Sequence, residues 1–282
     1  MEIKAADVKK LRDKTGAGMM DCKKALAEAG GDFAAAEKHL KELGLAAAAK
    51  RGGRATNEGR VFARVGTERA GLLELSCETD FVARNTQFIE LGNKIAAEIV
   101  DNGIAPDDGR FTEWLNDAIS TIKENMSLRR CEILTIDGNS LVVDYVHGDG
   151  GSVGVLVKVV VSEAALVTND EVRQFAFDTA LHVAAFGPTY LNEKAVPEAY
   201  VSEQKDIFMA QARSLGKPDK VLEGIVTGKM KKHFSEICLL EQPFVKDDKR
   251  SVAQVAADLG KSLGGTVTVH EYRYMKTGEE TE

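Results

Sequence analysis

Gly260-Lys261-Ser262 has the residue types that close a phosphate-binding loop, but the glycine such a loop needs five positions earlier is Val255. Gly148-Asp149-Gly150 opens a dinucleotide-type fingerprint and fails in the same way, because its third glycine position is Val153. His39, His147, His182, His233 and His270 have no His or Cys partner at metal-ligand spacing. Cys22, Cys77, Cys131 and Cys238 form no Cys-x-x-Cys pair. Nucleophilic triads assemble from distant positions, so Cys77 could still be a nucleophile. It closes an apolar strand, however, where a buried core thiol is the better reading. His182 falls on the same helical face as Phe175 and reads as a core histidine.

Two places resist a core assignment. Thr79-Asp80-Phe81-Val82 follows a strand and precedes a helix. A Phe-Val pair beside a carboxylate at a loop tip cannot all face inward, and Asp80 must stay hydrated or be paired. Either the tip is a contact surface, or Phe81 folds back as a lid while Asp80 caps a helix. The other place is Met19-Met20, after Thr15-Gly16-Ala17-Gly18. Met19 lies three positions before Cys22 and can join the buried face. Met20, about 100° around the helix, points elsewhere and would be a soft contact. Packing of both methionines into a small bundle is the alternative.

The 282 residues carry a net charge of −7. That balance argues against a dedicated nucleic-acid binder, which needs a basic face. Residues 1–64 hold 14 Lys/Arg against 9 Asp/Glu, so the two parts of the chain differ in sign. An apolar share of 44% is enough for packed cores. Isolated cysteines fit a reducing compartment. No apolar run approaches the roughly 20 residues of a membrane span, and the N-terminus has no signal or transit character. A cytoplasmic location is expected, with no membrane association.

The elements that must carry these residues read as α+β. Residues 1–45 predict three short helices, with Val8, Leu11, Cys22, Ala25, Leu26 and Ala29 on buried faces. Phe33, Ala36, Leu40 and Leu43 continue the pattern, Asp32 caps the third helix and Gly44 stops it. Ala46 to Glu58 reads as a helix tail entering a flexible basic linker. A duplicated order of strand, turn, strand, loop and helix then follows. Its first copy has strands Val61–Val65 and Gly71–Cys77 and a helix from Asn85. Its second has strands Leu141–Val146 and Val153–Val161 and a helix from about Asn169. Between the copies, Glu113–Lys123 predicts a helix, and Cys131–Ile136 with Leu141–Val146 predicts a hairpin. After Pro197, Ile207, Ala210, Leu222, Ile225 and Met230 form the narrow seam of a projecting two-helix hairpin. A helix Val252–Leu263 and a strand Thr266–Tyr274 close the chain. The expected divisions are 1–54, a helical module with its linker; 55–140, a first repeat; and 141–282, a second repeat with the hairpin at about 197–236.

Leu11-Arg12-Asp13-Lys14-Thr15-Gly16-Ala17-Gly18-Met19-Met20-Asp21-Cys22-Lys23-Lys24-Ala25-Leu26 resembles the N-terminal signature of the bacterial elongation factor Ts family. Glu78-Thr79-Asp80-Phe81-Val82-Ala83-Arg84 resembles its second signature. His147-Gly148, Gly154-Val155-Leu156-Val157, His182-Val183-Ala184-Ala185 and Gln242-Pro243-Phe244-Val245 match in the same order, so the resemblance covers essentially the whole chain. It implies a ubiquitin-associated-type N-terminal module, a duplicated core and a coiled-coil insertion. It implies guanine-nucleotide exchange on elongation factor Tu, with no cofactor, no metal of the chain's own and no catalytic residue. By the same resemblance Arg12, Met19 and Met20 hold the GTPase domain. Asp80 and Phe81, supported by Thr79 and Val82, intrude beside its Mg²⁺ site. His147 and Val245 are further contacts. The family position matching Lys123 is often small; here it is lysine. The hairpin could serve a homodimer or the partner.

Overall fold

The structure is a computed structural model that describes residues 3–214 and 216–279. Helices α1 (Ala5–Thr15), α2 (Met19–Glu28) and α3 (Phe33–Arg51) pack around Val8, Leu11, Cys22, Ala25, Leu26 and Ala36. Gly16 ends α1 in the left-handed region at φ 65° and donates its N–H to Arg12 O. Asp32 caps α3, accepting from Ala35 N at 2.9 Å. Contrary to expectation, α3 runs through Gly44 to Arg51. Alanines 46–49 favour helix, and Ala48 is buried in the core of the body, so the helix gains by continuing. Leu43, expected on the buried face, is 48% exposed.

The body has two antiparallel sheets. The first orders β1 (Glu58–Val65), β2 (Arg69–Cys77) and, after the one-turn helix α4 (Asp80–Ala83), α5 (Thr86–Val100) and α6 (Gly109–Ile122), β3 (Met126–Thr135). The second orders β4 (Ser140–His147), β5 (Val153–Val161) and β8 (Val267–Lys276), the last separated from β5 by all the remaining elements. Strand periodicity splits each sheet into two faces. Leu73 and Leu75 join Phe88, Ile95, Phe111 and Ile119 under α5 and α6. Leu72 faces the other way and meets Val61, Leu134, Val142, Leu156 and Met275 between the sheets. Val155, Val157, Val159 and Val161 pack under α7 (Asp170–Phe186) and, later in the chain, α10 (Val252–Ser262). Trp114 on α6 sits edge-on to Phe111, and Lys94 Nζ lies 3.5 Å from its ring centroid.

The predicted hairpin of residues 131–136 with 141–146 does not form. β3 pairs with β2, and β4 pairs with β5. Asp137-Gly138-Asn139 therefore carries the chain from one sheet to the other. Each central strand needs a partner on its free side, and that demand overrides the local turn signal. α8 (Glu198–Arg213) and α9 (Asp219–Ile237) pack on one another around Ala212, Leu222, Val226 and Met230. Ile207 and Ala210, expected in this seam, are exposed; Val201, Phe208, Met209 and Ala212 take the α8 side. A short ribbon, β6 (Pro243–Phe244) with β7 (Asp247–Ser251), was not legible in the sequence. Gly260-Lys261-Ser262 lies in the last turn of α10, not in a loop. Among the described residues no helix is long and apolar enough to cross a membrane.

Candidate functional site

The tip grows out of the buried end of β2. Thr79 leaves the strand with extended backbone and caps α4, accepting from Val82 N at 3.4 Å. Three of its groups are held. Its N–H donates to Glu124 Oε2 at 3.0 Å, its hydroxyl donates to Glu124 Oε1 at 2.7 Å, and its carbonyl accepts from Cys77 Sγ at 3.1 Å. Val82 and Ala83 are buried with Leu75 and Phe88. A single helical turn with one side buried must present its other side. Phe81 is accordingly 82% exposed and Asp80 faces water, with Arg84 Nη2 at 4.0 Å. The lid arrangement is thereby overturned: Phe81 does not fold back, and Thr79, not Asp80, is the cap. The four residues divide into two that hold, Thr79 and Val82, and two that are presented, Asp80 and Phe81. Leaving a phenylalanine in water forgoes roughly 1.5–3 kcal/mol of burial, which a partner can recover.

Glu124 carried no signal in the sequence. It follows Lys123, which ends α6 at φ 72° and is the only non-glycine with positive φ among the described residues. The left-handed turn aims the chain so that Glu124 reaches Thr79. Glycine, which has no Cβ, suits that conformation better than lysine does.

The base of the tip is tied to the segment after α3. Glu78 Oε1 accepts from Asn125 N at 2.6 Å and from Arg54 Nη1 at 3.3 Å. Asn125 Nδ2 donates to Arg54 O at 2.8 Å, and Ser76 Oγ donates to Thr56 Oγ1 at 3.0 Å. The expected flexible linker is thus pinned at three points, because its polar groups find partners at the end of β2 and the start of β3.

The other predicted residues lie in two further places. Arg12 on α1 is exposed. Met19 is 43% exposed and Met20 74% exposed, so Met19 does not join the buried face. α2 begins at Met19 itself, its first turn overhangs the bundle, and Cys22 is its first buried residue. His147 is exposed at the end of β4, its Nδ1 2.8 Å from Tyr145 Oη. Val245, between β6 and β7, is 40% exposed. Its N–H donates to Nδ1 of fully buried His182 at 3.2 Å. Nε2 must therefore carry the imidazole proton, and it donates to Gln242 Oε1 at 2.9 Å. Gln242 Nε2 donates in turn to Glu236 O at 2.9 Å. Burial holds His182 below the ordinary histidine range, opposed in part by Gln242. It is the core histidine that its helical face predicted.

Cys77 is no nucleophile. Burial, and then the charge of Glu124, push its thiol up to about 12, and its proton is committed to Thr79 O. Among the described residues no group of three or more His, Cys, Asp or Glu is arranged to hold a metal. What the exposed tip can do chemically is insert an aromatic ring and a carboxylate into another molecule.

Comparison with known proteins gives one consistent result. The family model for Elongation factor TS matches residues 78–279. The Elongation factor Ts of Borrelia recurrentis (strain A1) is 46% identical over 278 residues, 99% of this chain and 100% of that protein. That of Treponema denticola is 45% identical over 278 residues, 99% of each chain. That of Borreliella burgdorferi (strain ATCC 35210) is 45% identical over 276 residues, 98% of this chain and 99% of its own.

Proposed function

The chain belongs to the elongation factor Ts family, and from that premise we propose that it binds elongation factor Tu and drives GDP from it by inserting Asp80 and Phe81 beside the Mg²⁺ and phosphate site. Membership makes it a translation elongation factor and not an enzyme with covalent chemistry of its own. The observation that carries the finer reading is Phe81, 82% exposed on a turn anchored by Thr79, Val82 and Ala83.

The physics is linkage. Mg²⁺ bridges the nucleotide phosphates and the GTPase and offsets their charge. A wedge that displaces the groups holding the metal weakens Mg²⁺ and GDP together. The coupling is reciprocal, so bound nucleotide weakens the grip of this chain by the same factor. Thr79 and Val82 keep the wedge in place, Arg12, Met19 and Met20 hold the GTPase domain, and His147 and Val245 add contacts from the second sheet and the β6–β7 ribbon. In this reading residues 1–54 grip, 55–140 carry the wedge, and 141–282 brace it. The α8–α9 hairpin serves a second copy or the partner. The protein works in the cytoplasm without cofactor, membrane or direct nucleic-acid contact.

Release of a fluorescent GDP analogue from the GTPase tests the reading. Wild type should accelerate it, and Phe81→Ala should lose about 30-fold or more of that acceleration, the scale of an interface hot spot. No acceleration by wild type would end the exchange reading. A fully active Phe81→Ala would end the wedge.

A further inference from the structure

The bundle and the tip are joined by more than the chain between them. α3 crosses α6 at Gly44. A Cβ added there would overlap Ser120 Oγ and lie 2.9 Å from Ser120 Cβ. A hydroxyl can rotate away, but a Cβ cannot, so Gly44 sets how closely the two helices approach. Ser120 and Thr121 turn their hydroxyls back onto their own helix, to Asn116 O at 2.8 Å and Asp117 O at 3.0 Å. Gly16, at the end of α1, makes a second close approach: a Cβ there would lie 3.0 Å from Thr121 Cγ2. One turn beyond Gly44, Ala48 enters the same core as Leu115 and Ile119 of α6. Beyond α3, Arg54 is bound to Glu78 and Asn125, the neighbours of Thr79 and Glu124.

We propose that the contact of Gly44 with Ser120 is the joint that holds Arg12, Met19 and Met20 at a fixed distance and orientation from Asp80 and Phe81, making Gly44 a positioning residue for exchange. The inference rests on the exchange reading above. Two contact sets on one rigid frame engage a single partner as one event, because binding of the first presents the second at high effective concentration. A loose joint would leave both sets intact and forfeit that gain.

The sign of a substitution separates this role from helix propensity. Alanine in place of glycine inside a helix ordinarily strengthens it. Here Gly44→Ala should loosen the docking of α3 on α6, and Gly44→Leu should loosen it further. In the full-length chain, hydrogen exchange within residues 109–122 reports the docking and release of fluorescent GDP from elongation factor Tu reports the grip. Gly44→Leu should speed hydrogen exchange in that segment. It should also raise the concentration giving half-maximal release by about 10-fold or more, with the release rate at saturation near wild type because the tip is untouched. Ser120→Gly should restore both in the Gly44→Ala chain, because Ser120 supplies the atoms that the added Cβ would meet. Unchanged half-maximal concentration with α6 deprotected would overturn the positioning role. Unchanged protection and concentration would show that the joint tolerates a side chain, and would overturn it too. Failure of Ser120→Gly to restore the Gly44→Ala chain would overturn the Gly44–Ser120 contact as the joint. Lack of acceleration by wild type is seen before any variant is made, and it removes the exchange reading and the joint's role together.

Discussion

The central strands β2 and β5 have the same length and nearly the same design, yet they end in different ways. Each is nine residues long, and the sixth residue of each is a charge buried between the sheets, Glu74 in one and Lys158 in the other. Each strand shifts register right after that charge. Each is followed at equal distance by an asparagine that caps the next helix, Asn85 or Asn169. Where the first half presents Thr79-Asp80-Phe81-Val82, the second has Glu163-Ala164-Ala165-Leu166. Leu166 packs on its core as Val82 does, but Ala164 and Ala165 expose only methyls. The scaffold is thus satisfied by alanine at the positions that carry Asp80 and Phe81. An exposed phenylalanine there answers to something outside the fold.

The comparison can be broken first at the buried charges. Glu74 is held by Arg130 at 2.6 Å and Arg129 at 3.7 Å and accepts from Gly278 N at 2.9 Å. Glu74→Ala would strand largely buried Arg130 and should cost about 3–5 kcal/mol in urea unfolding. Lys158 is held by Asp137 at 3.0 Å and Glu271 at 3.8 Å, both of which reach water. Lys158→Met should cost less than half as much, since its partners can be rehydrated. Equal costs would refute the asymmetry.

Acid should separate the halves next. His182 belongs to the second half, and its Nδ1 must stay unprotonated to accept from Val245. Its folded pKa lies below the ordinary value, so the unfolded chain takes up the proton first. The stability it contributes is present above about pH 6.5 and declines as pH falls, by up to about 1.4 kcal/mol for each pH unit. Hydrogen exchange should therefore show the β6–β7 ribbon loosening before β1–β3 does, and His182→Gln should flatten that dependence. Lys123→Gly should add about 0.5–1 kcal/mol in the first half by relieving the left-handed lysine, read as a shift in the urea midpoint. The smallest effect on stability should come from the tip. Replacing Asp80 and Phe81 by alanines, as in the second half, should move stability by no more than about 0.5 kcal/mol and yet abolish accelerated GDP release. A large loss of stability would make the tip part of the fold after all.

The faces of α1, α2 and α5, the apolar strands β2 and β5, and the helix starts near Asn85 and Asn169 were legible because they are local. So was the awkwardness of Phe81. Glu124 was not, since it meets Thr79 across 45 positions with nothing local to announce it. β3 was misassigned because Asp137-Gly138-Asn139 looks like a hairpin turn when only neighbours in sequence are considered. Gly44 read as a stop because sequence cannot distinguish a glycine that ends a helix from one that lets a second helix approach.

α6 touches the bundle along one face, the core along another and the tip beyond its end, and it also carries Trp114, the only tryptophan of the chain. The ammonium of Lys94 on α5 lies over that indole. The intrinsic fluorescence of the protein is consequently dominated by this one helix. A shift of α6 that moves the ring under its cation, whether from the bundle lifting away or from strain at the tip, is reported as a change in emission without any attached dye.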